Sequence, residues 1–299
     1  MLLLGVAAHG GADSPESLSD GCRAACEAAF RVLEAGGGAL EAAVAGARLL
    51  EDDGRYNAGR GSVLRLDGRT VEMDAGVMDS SGNVGLVMAV RNVRNPSLLA
   101  RAVADSPHVA LAGEGAEAYA RMLGLEPFDG PSETALRKYE RVKRLAREGR
   151  AGRLSPRWKG RDIKDYWNFP EPFGGTMADT IGVVALDRSG RFAVANSTGG
   201  ASPMMLGRVG DSAMPGCGLF AGGACAVSAT GIGEEIIRRM LARAVHDRVE
   251  GGMGVERACR EAVALIPPEF SAGVIALSRE GFGVSSNTSM AHFFMGEEE

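Results

Sequence analysis

Two threonines closing the stretch "TIGVVALDRSGRFAVANST" (180–198) are spaced to do chemistry together. Between them, Asp187-Arg188-Ser189-Gly190-Arg191 reads as a three-residue hairpin loop with Gly third, where the backbone needs a positive φ. Pairing Asp187 with Arg191 puts Thr180 directly opposite Thr198, on one face, with Cβ atoms about 4.5–5.5 Å apart. Such a pair also serves sheets that do no chemistry, since Thr is a good strand residue. The setting adds a second reading. Thr180 opens its strand just behind the glycine-containing segment "FGGTMAD". Were the Asp179–Thr180 bond cut, Thr180 would carry an α-amine titrating near about 7.7–8.0, a base beside its own hydroxyl.

Two further stretches would serve that nucleophile. "LGRVGDS" sets Arg208 and Asp211 three apart, a guanidinium for an amino acid's α-carboxylate and a carboxylate for its α-ammonium. Taken alone, the two residues read first as a surface ion pair. "SATGIGEEII" places Thr230, Gly231 and Gly233 ahead of a helix. Free N–H groups there would favour the negative charge that develops on an oxyanion, although a Gly-rich helix start can be a tight turn and nothing more.

The elements that must hold these residues follow from periodicity. "MLLLGVAAHGGAD" reads as a buried first strand, followed by helical patterns in "PESLSDGCRAACEAAFRVLEAGG" and in "ALEAAVAGARLLEDDG", the latter ending at Gly54. Alternation and the turn signals Asp67-Gly68 and Ser81-Gly82-Asn83 make "SVLRLDGRTVEMDAGVMDSSGNVGLVMAV" a run of hairpins. Helical segments are expected at 96–104, 113–122 and 133–149, and a linker without sustained period over about 150–178. The ordered pattern then resumes with the 180–198 hairpin, one helix through "GEEIIRRMLARAVHDRVEGG", another at 254–265 and a final hairpin "AGVIALSREGFGVSSN". Strands in blocks of hairpins predict antiparallel sheets covered by helices, an α+β arrangement rather than a Rossmann-type sheet.

Composition bounds the class. A chain of 299 residues, 45% hydrophobic and 24% charged with a net charge of −5, suits a globular protein in water. Its start lacks a basic n-region and its apolar run is too short to span a bilayer, so a cytoplasmic location is expected. The five cysteines show no disulfide spacing; Cys22 and Cys26, one helical turn apart, read as core residues rather than half a metal site. His9, His108, His246 and His292 are scattered without a motif. Residues 137–164 hold twelve Lys/Arg against three Asp/Glu. That block reads as a solvated helix face running into a connector; the rival reading is a non-processing protein that binds nucleic acid through it.

Taken together the motifs resemble the Thr-dependent N-terminal nucleophile hydrolases, and within them the plant-type asparaginase/isoaspartyl peptidase family, with aspartylglucosaminidase as its sister branch. The resemblance covers nearly the whole chain: "HGGA" (9–12), "YNAGRGSVL" (56–64), "EMDAGVMD" (72–79), "RNPSLLAR" (94–101), "SPHVALAGEGAE" (106–117), "DTIGVVALD" (179–187), "STGG" (197–200), "GRVGDS" (207–212) and "TGIGE" (230–234). It implies a four-layer αββα sandwich: one hydrolase domain over 1–299, made as a precursor and parted by attack of Thr180 on Asp179 into chains 1–179 and 180–299. By the family pattern Thr180 is nucleophile and base, Thr198 positions it, and Asn57 orders the site. Thr230 and Gly231 form the oxyanion hole, Arg208 and Asp211 hold the substrate's α-groups, and Gly233, Gly10 and Gly11 belong to the binding site. The implied reaction is hydrolysis of β-aspartyl dipeptides and L-asparagine through a β-aspartyl ester, by a homodimer of cleaved heterodimers. No cofactor is implied for catalysis. The segment 50–60 resembles a loop that wraps a structural sodium ion with backbone carbonyls, here those of Leu50, Glu51, Asp53, Tyr56, Ala58 and Arg60. "ADTIG" and "PPEFSAGVIAL" lean toward aspartylglucosaminidase, which is the alternative enzyme, and Met204-Met205 makes the rim of the pocket more apolar than in many relatives.

Overall fold

A computed structural model describes residues 1–169 and 180–298; Asp179 and the end of the expected linker lie outside the described residues. The chain runs β1 (Leu2–Ala12), α1 (Ser19–Glu34), α2 (Ala39–Asp53), β2 (Met73–Asp79), β3 (Val84–Val90), α3 (Pro96–Ala104), β4 (Ala110–Ala112), α4 (Gly113–Met122) and α5 (Glu133–Arg147). It continues with β5 (Thr180–Leu186), β6 (Phe192–Thr198), β7 (Leu219–Ala221), β8 (Cys225–Gly231), α6 (Gly233–Arg239), α7 (Leu241–Glu250), α8 (Val255–Val263), β9 (Ala272–Ser278), β10 (Gly281–Ser286) and β11 (Met290–Glu298).

The strands form a seven-stranded sheet, ordered β11-β1-β5-β6-β2-β3-β4, and a four-stranded sheet, ordered β10-β9-β8-β7. Period-2 alternation in the central strands assigns each face its neighbour. In β5, Ile181, Val183 and Ala185 join the core shared with α1, α2 and α3, while Val184 and Leu186 join the core between the sheets. In β8, Val227 and Ala229 pack with α7 and α8, while Ala226 faces the other sheet. Helices, sheet, sheet and helices therefore stack as four layers, the αββα sandwich that the resemblance implies.

That alternation also aims the chemistry. Thr180, Thr198 and Thr230 have the parity of Val184, Val194 and Ala226, so all three project into the space between the sheets, at one end of it. The β5–β6 hairpin has the expected register, with Thr180 opposite Thr198 and Leu186 opposite Phe192. Its loop closes through Asp187 N–H to the Arg191 carbonyl (3.1 Å), with Gly190 at φ +79°. Cys22 and Cys26 are buried in α1 as core residues. No helix among the described residues is long and apolar enough to cross a membrane.

Five expectations need correction. The larger sheet is mixed rather than antiparallel, because three-residue β4 pairs parallel with β3. Only one hairpin, β2–β3, forms in 62–90. Asp67-Gly68 does make a turn, with Arg65 N–H on the Thr70 carbonyl at 2.6 Å, but its flanks are irregular because Arg65 turns inward instead of lying on a strand face. The single helix expected after Gly233 is two, broken at Met240 with φ +48°; α7 restarts there because loop carbonyls of Cys217 and Gly216 accept the N–H groups of Ala242 (3.0 Å) and Arg243 (2.8 Å). The hairpin expected to be final, β9–β10, is followed by a further strand: the run 290–298 forms β11, an edge strand on β1. Finally, the described part of the linker, 150–169, makes three 3-10 turns, and its Ala151, Ile163 and Phe169 bury against Leu66.

Gly182 shows how tightly the sheets meet. A Cβ there would lie 1.9 Å from Ser228 Oγ and 2.6 Å from His9 Nε2. Gly182→Ala is expected to cost about 3 kcal/mol by overpacking and broken buried hydrogen bonds. Thermal denaturation checks it, with a Tm lowered by roughly 6 °C or more for a protein of this size.

Candidate active site

The three threonines open into a cavity of about 610 Å³. Thr180 begins β5 and its Oγ1 donates to Thr198 Oγ1 at 3.1 Å; Thr198 Oγ1 also accepts the Gly200 N–H at 2.9 Å. That second contact fixes the acceptor side of Thr198 and turns it toward Thr180. Thr230, across the gap on β8, accepts the Ala12 N–H at 3.0 Å, which leaves its hydroxyl proton to donate. Gly231 follows it on the cavity wall at φ +135°, an orientation that L side chains rarely adopt.

Asn57 does not line the cavity but holds the turn behind it. Its Nδ2 donates to the Gly200 carbonyl (2.7 Å), its Oδ1 accepts from Val63 N–H (2.8 Å), and its carbonyl accepts from Gly199 N–H (3.0 Å). Gly10 and Gly11 also sit outside the lining; the cavity is reached one residue later, by Ala12 and Asp13. A Cβ on Gly10 would meet the Tyr56 ring at 2.5 Å, so Gly10 packs a wall.

Arg208 and Asp211 both line the cavity, but they are not a surface ion pair with each other. Arg208 is bound in two places by Glu234, Nε to Oε1 at 3.1 Å and Nη2 to Oε2 at 3.0 Å, leaving Nη1 for a ligand. Asp211 is 4% exposed, and its Oδ2 has no hydrogen-bond partner among the described residues. Burial pushes its carboxyl up to about 7, with Arg208 pulling the other way. Gly233 explains itself here. Its Cβ would stand 2.6 Å from Asp211 Oδ1 and 2.8 Å from Arg208 Nη2, so only glycine admits both groups. The helix it opens, α6, has seven residues.

Three supports escaped the motif-by-motif reading. Arg65, 1% exposed, clamps the loop after β6: Nη1 donates to the Gly199 carbonyl (2.8 Å) and Nε to Glu72 (3.1 Å), while Glu72 accepts the Gly207 N–H (2.8 Å). Asp74 bridges the Ala89 and Gly210 N–H groups at 2.8 and 3.3 Å. His9 forms a relay beneath the threonines: Gly11 N–H donates to Nδ1 (3.1 Å), so the Nε2–H tautomer faces Ser228 Oγ (2.7 Å), which donates to Asn196 Oδ1 (2.7 Å). Burial lowers the His9 pKa to about 3, keeping the imidazole neutral. Glu72, Asp74 and His9 lie inside the quoted motifs, so the signal was present without a role attached.

The loop of the expected sodium site lies between α2 and the turn at 59–61, with Leu50, Glu51, Tyr56 and Ala58 buried and Asp53 and Arg60 half-buried. Tyr56, Ala58 and Arg60 carbonyls accept N–H groups from Ala58, Gly61 and Ser132, and Glu51 spends its carboxylate on Ser97 (2.9 and 2.7 Å). The backbone is drawn close: Cβ atoms on Gly59 and Gly61 would approach the Glu51 and Tyr56 carbonyls at 2.5 and 1.8 Å.

Comparison with known proteins shows the family. The family description "Asparaginase" matches residues 4–299, and the chain belongs to that family of hydrolases. It is similar to a plant-type L-asparaginase of Pyrobaculum calidifontis, 41% identical over 84% of this chain and 81% of the relative. It is likewise similar to an isoaspartyl peptidase of Escherichia coli, at 38% over 85% of this chain and 77% of the relative. An isoaspartyl peptidase/L-asparaginase of Danio rerio is 37% identical over 92% of this chain and 86% of its own length.

Proposed function

We propose that the protein is a self-processing threonine amidohydrolase acting on β-aspartyl dipeptides and L-asparagine. The observation that carries this reading is the 3.1 Å contact of Thr180 with Thr198 at the edge of a cavity that also presents Arg208, Asp211 and Thr230. In maturation Thr180 Oγ1 attacks the Asp179 carbonyl carbon, the acyl group shifts from nitrogen to oxygen, and water hydrolyses the ester to leave a free Thr180 α-amine. In turnover that amine takes the Oγ1 proton as the oxygen attacks the β-carbonyl of the substrate. The oxyanion is met by the Thr230 hydroxyl and the Gly231 N–H. The ammonium then protonates the departing nitrogen, releasing ammonia or an amino acid, and water resolves the β-aspartyl ester to aspartate. Arg208 Nη1 receives the substrate α-carboxylate and Asp211 its α-ammonium. The names of the relatives support this substrate class.

The test is a time course on a denaturing gel, with N-terminal sequencing of the smaller band and rates on β-aspartyl-leucine, asparagine and N-acetylglucosaminyl-asparagine. A fragment beginning Thr-Ile-Gly-Val is expected, with the first two substrates turned over. A chain that never cleaves, or dominant turnover of the glycosylated compound, overturns the reading. The assembly it carries, a homodimer of cleaved heterodimers, is read by light scattering of processed protein.

A sodium ion in the 50–60 loop belongs to the same reading. The remaining lone pairs of the Leu50, Glu51, Asp53, Tyr56, Ala58 and Arg60 carbonyls suit a hard cation, and its role would be to hold the turn that carries Asn57. Replacing NaCl by choline chloride at equal ionic strength is expected to lower the Tm, and restoring millimolar sodium to raise it again.

A further inference from the structure

The cavity at Thr180 is much larger than an asparagine requires: about 610 Å³ lies among sites that bury drug-sized ligands, roughly 300–1,000 Å³. Its two ends differ chemically. Toward the threonines, Arg208 is matched by Glu234, and Asp13 and Asp211 add negative charge. The far wall comes from residues 153–166 and carries Arg153, Arg157 and Arg161 against the single acid Glu269.

This wall is held in place. Trp158 Nε1–H donates to the Pro203 carbonyl at 2.8 Å, and Tyr166 packs edge-on to its ring at 5.7 Å between centroids. Met204 and Met205 extend the same apolar surface. Of the three arginines, Arg157 is bound to Glu235 (3.0 Å), a carboxylate that also meets Arg238 and Arg239, so positive charge is in excess there. Arg161 donates to the Arg157 carbonyl (2.6 Å), and neither it nor Arg153 forms an ion pair among the described residues. Both, together with Pro156, Trp158 and Glu269, also line a second cavity of about 930 Å³ that Thr180, Thr198, Thr230 and Arg208 do not border.

We propose that Arg153 and Arg161, with Trp158 between them in the chain, form a leaving-group subsite that takes the free carboxylate of a large apolar residue linked through a β-aspartyl bond. The inference rests on the amidohydrolase reading above and deepens it. The aspartyl half binds at Arg208 and Asp211, the scissile amide lies at Thr180, and the departing residue lays its side chain on Trp158 and the methionines. Its carboxylate reaches the two arginines. Asparagine, whose leaving group is ammonia, uses none of this surface.

The test compares kcat/KM of protein shown to be cleaved before Thr180 on β-aspartyl-leucine, its C-terminal amide, and asparagine. The acid is expected to exceed the amide by at least about tenfold, the value of one charge-assisted contact. The Arg153→Gln/Arg161→Gln double variant is expected to bring the acid-to-amide ratio close to one. Both positions are exposed, and its Tm shows whether the fold is kept. Equal rates on acid and amide with wild-type protein overturn the subsite, and that comparison needs no variant. A ratio unmoved by the double variant overturns the assignment to these arginines. Turnover of none of the three compounds overturns the amidohydrolase reading and the subsite with it.

Discussion

Thr180→Ala protein is expected to stay a single full-length polypeptide and to lose hydrolysis of asparagine and β-aspartyl-leucine by on the order of 10⁴-fold or more. The change removes one hydroxyl and one methyl from a residue at the mouth of the inter-sheet space, where Thr180 is 8% exposed. The layers it sits between are held by Ile181, Val183 and Val184, so folding should survive. On the proposed mechanism, what disappears is the atom that attacks, both in maturation and in turnover. The α-amine disappears with it, because an uncleaved chain never exposes one. Thr180→Ser separates these losses: it keeps the hydroxyl, so slow cleavage and partial activity are expected from the same gel and assay. Cleavage at normal rate in the alanine variant would remove Thr180 from the mechanism.

Asp211→Asn carries the second large effect, and its sign differs between activity and stability. Burial raises the Asp211 carboxyl to about 7 in the folded chain, from an ordinary value near 3.8. Between those values the folded state holds the proton more tightly than the unfolded one, so this group destabilises the fold progressively as pH rises from about 4 to 7. Above 7 the buried, ionised carboxylate costs a few kcal/mol, and the asparagine variant should melt higher than wild type at pH 8 but not at pH 4. Activity runs the other way. In the proposed mechanism the ionised form receives the substrate ammonium, so wild-type kcat/KM should climb through about pH 7. The variant is expected to lose roughly 10²-fold in kcat/KM, as a charge-assisted contact to the ammonium vanishes. A variant that melts lower at pH 8, with kcat/KM unchanged, would take Asp211 out of the binding site. An Oδ2 without a hydrogen-bond partner among the described residues is the structural reason to expect a functional role, since a fold built for stability alone would satisfy it.

The Arg65–Glu72 clamp belongs to the same economy of buried charge. A guanidinium 1% exposed and a carboxylate 2% exposed are a poor source of net stability, because desolvation offsets their attraction. Their hydrogen bonds to the Gly199 carbonyl and the Gly207 N–H instead fix the two ends of the loop that carries Met204 and Met205 along the cavity. Positioning of that loop is what the pair gains.

Sequence alone determined the parts whose physics is local. A three-residue loop with glycine third sets a hairpin's register, and register is all that is needed to bring Thr180 against Thr198. Helical periods gave α2, α3 and α4 with their bounds, and the motif resemblance supplied the four-layer stack. What sequence could not determine was whatever depends on a partner far along the chain. β11 pairs with β1 from the opposite end, and β4 is three residues whose only reason to extend is β3. Met240 breaks a helical pattern because carbonyls at 216 and 217 are there to start a new helix. Arg65 looked like a strand residue until Glu72 and Gly199 gave its guanidinium a buried place. Glu234 was one acid among several until the fold set it on Arg208, and 153–166 was a connector until Trp158 met Pro203. The spacing of threonines comes from a loop; the charge, burial and shape around them come only from bringing distant segments into one low-dielectric space, where each group's energy is set by neighbours that no local window contains.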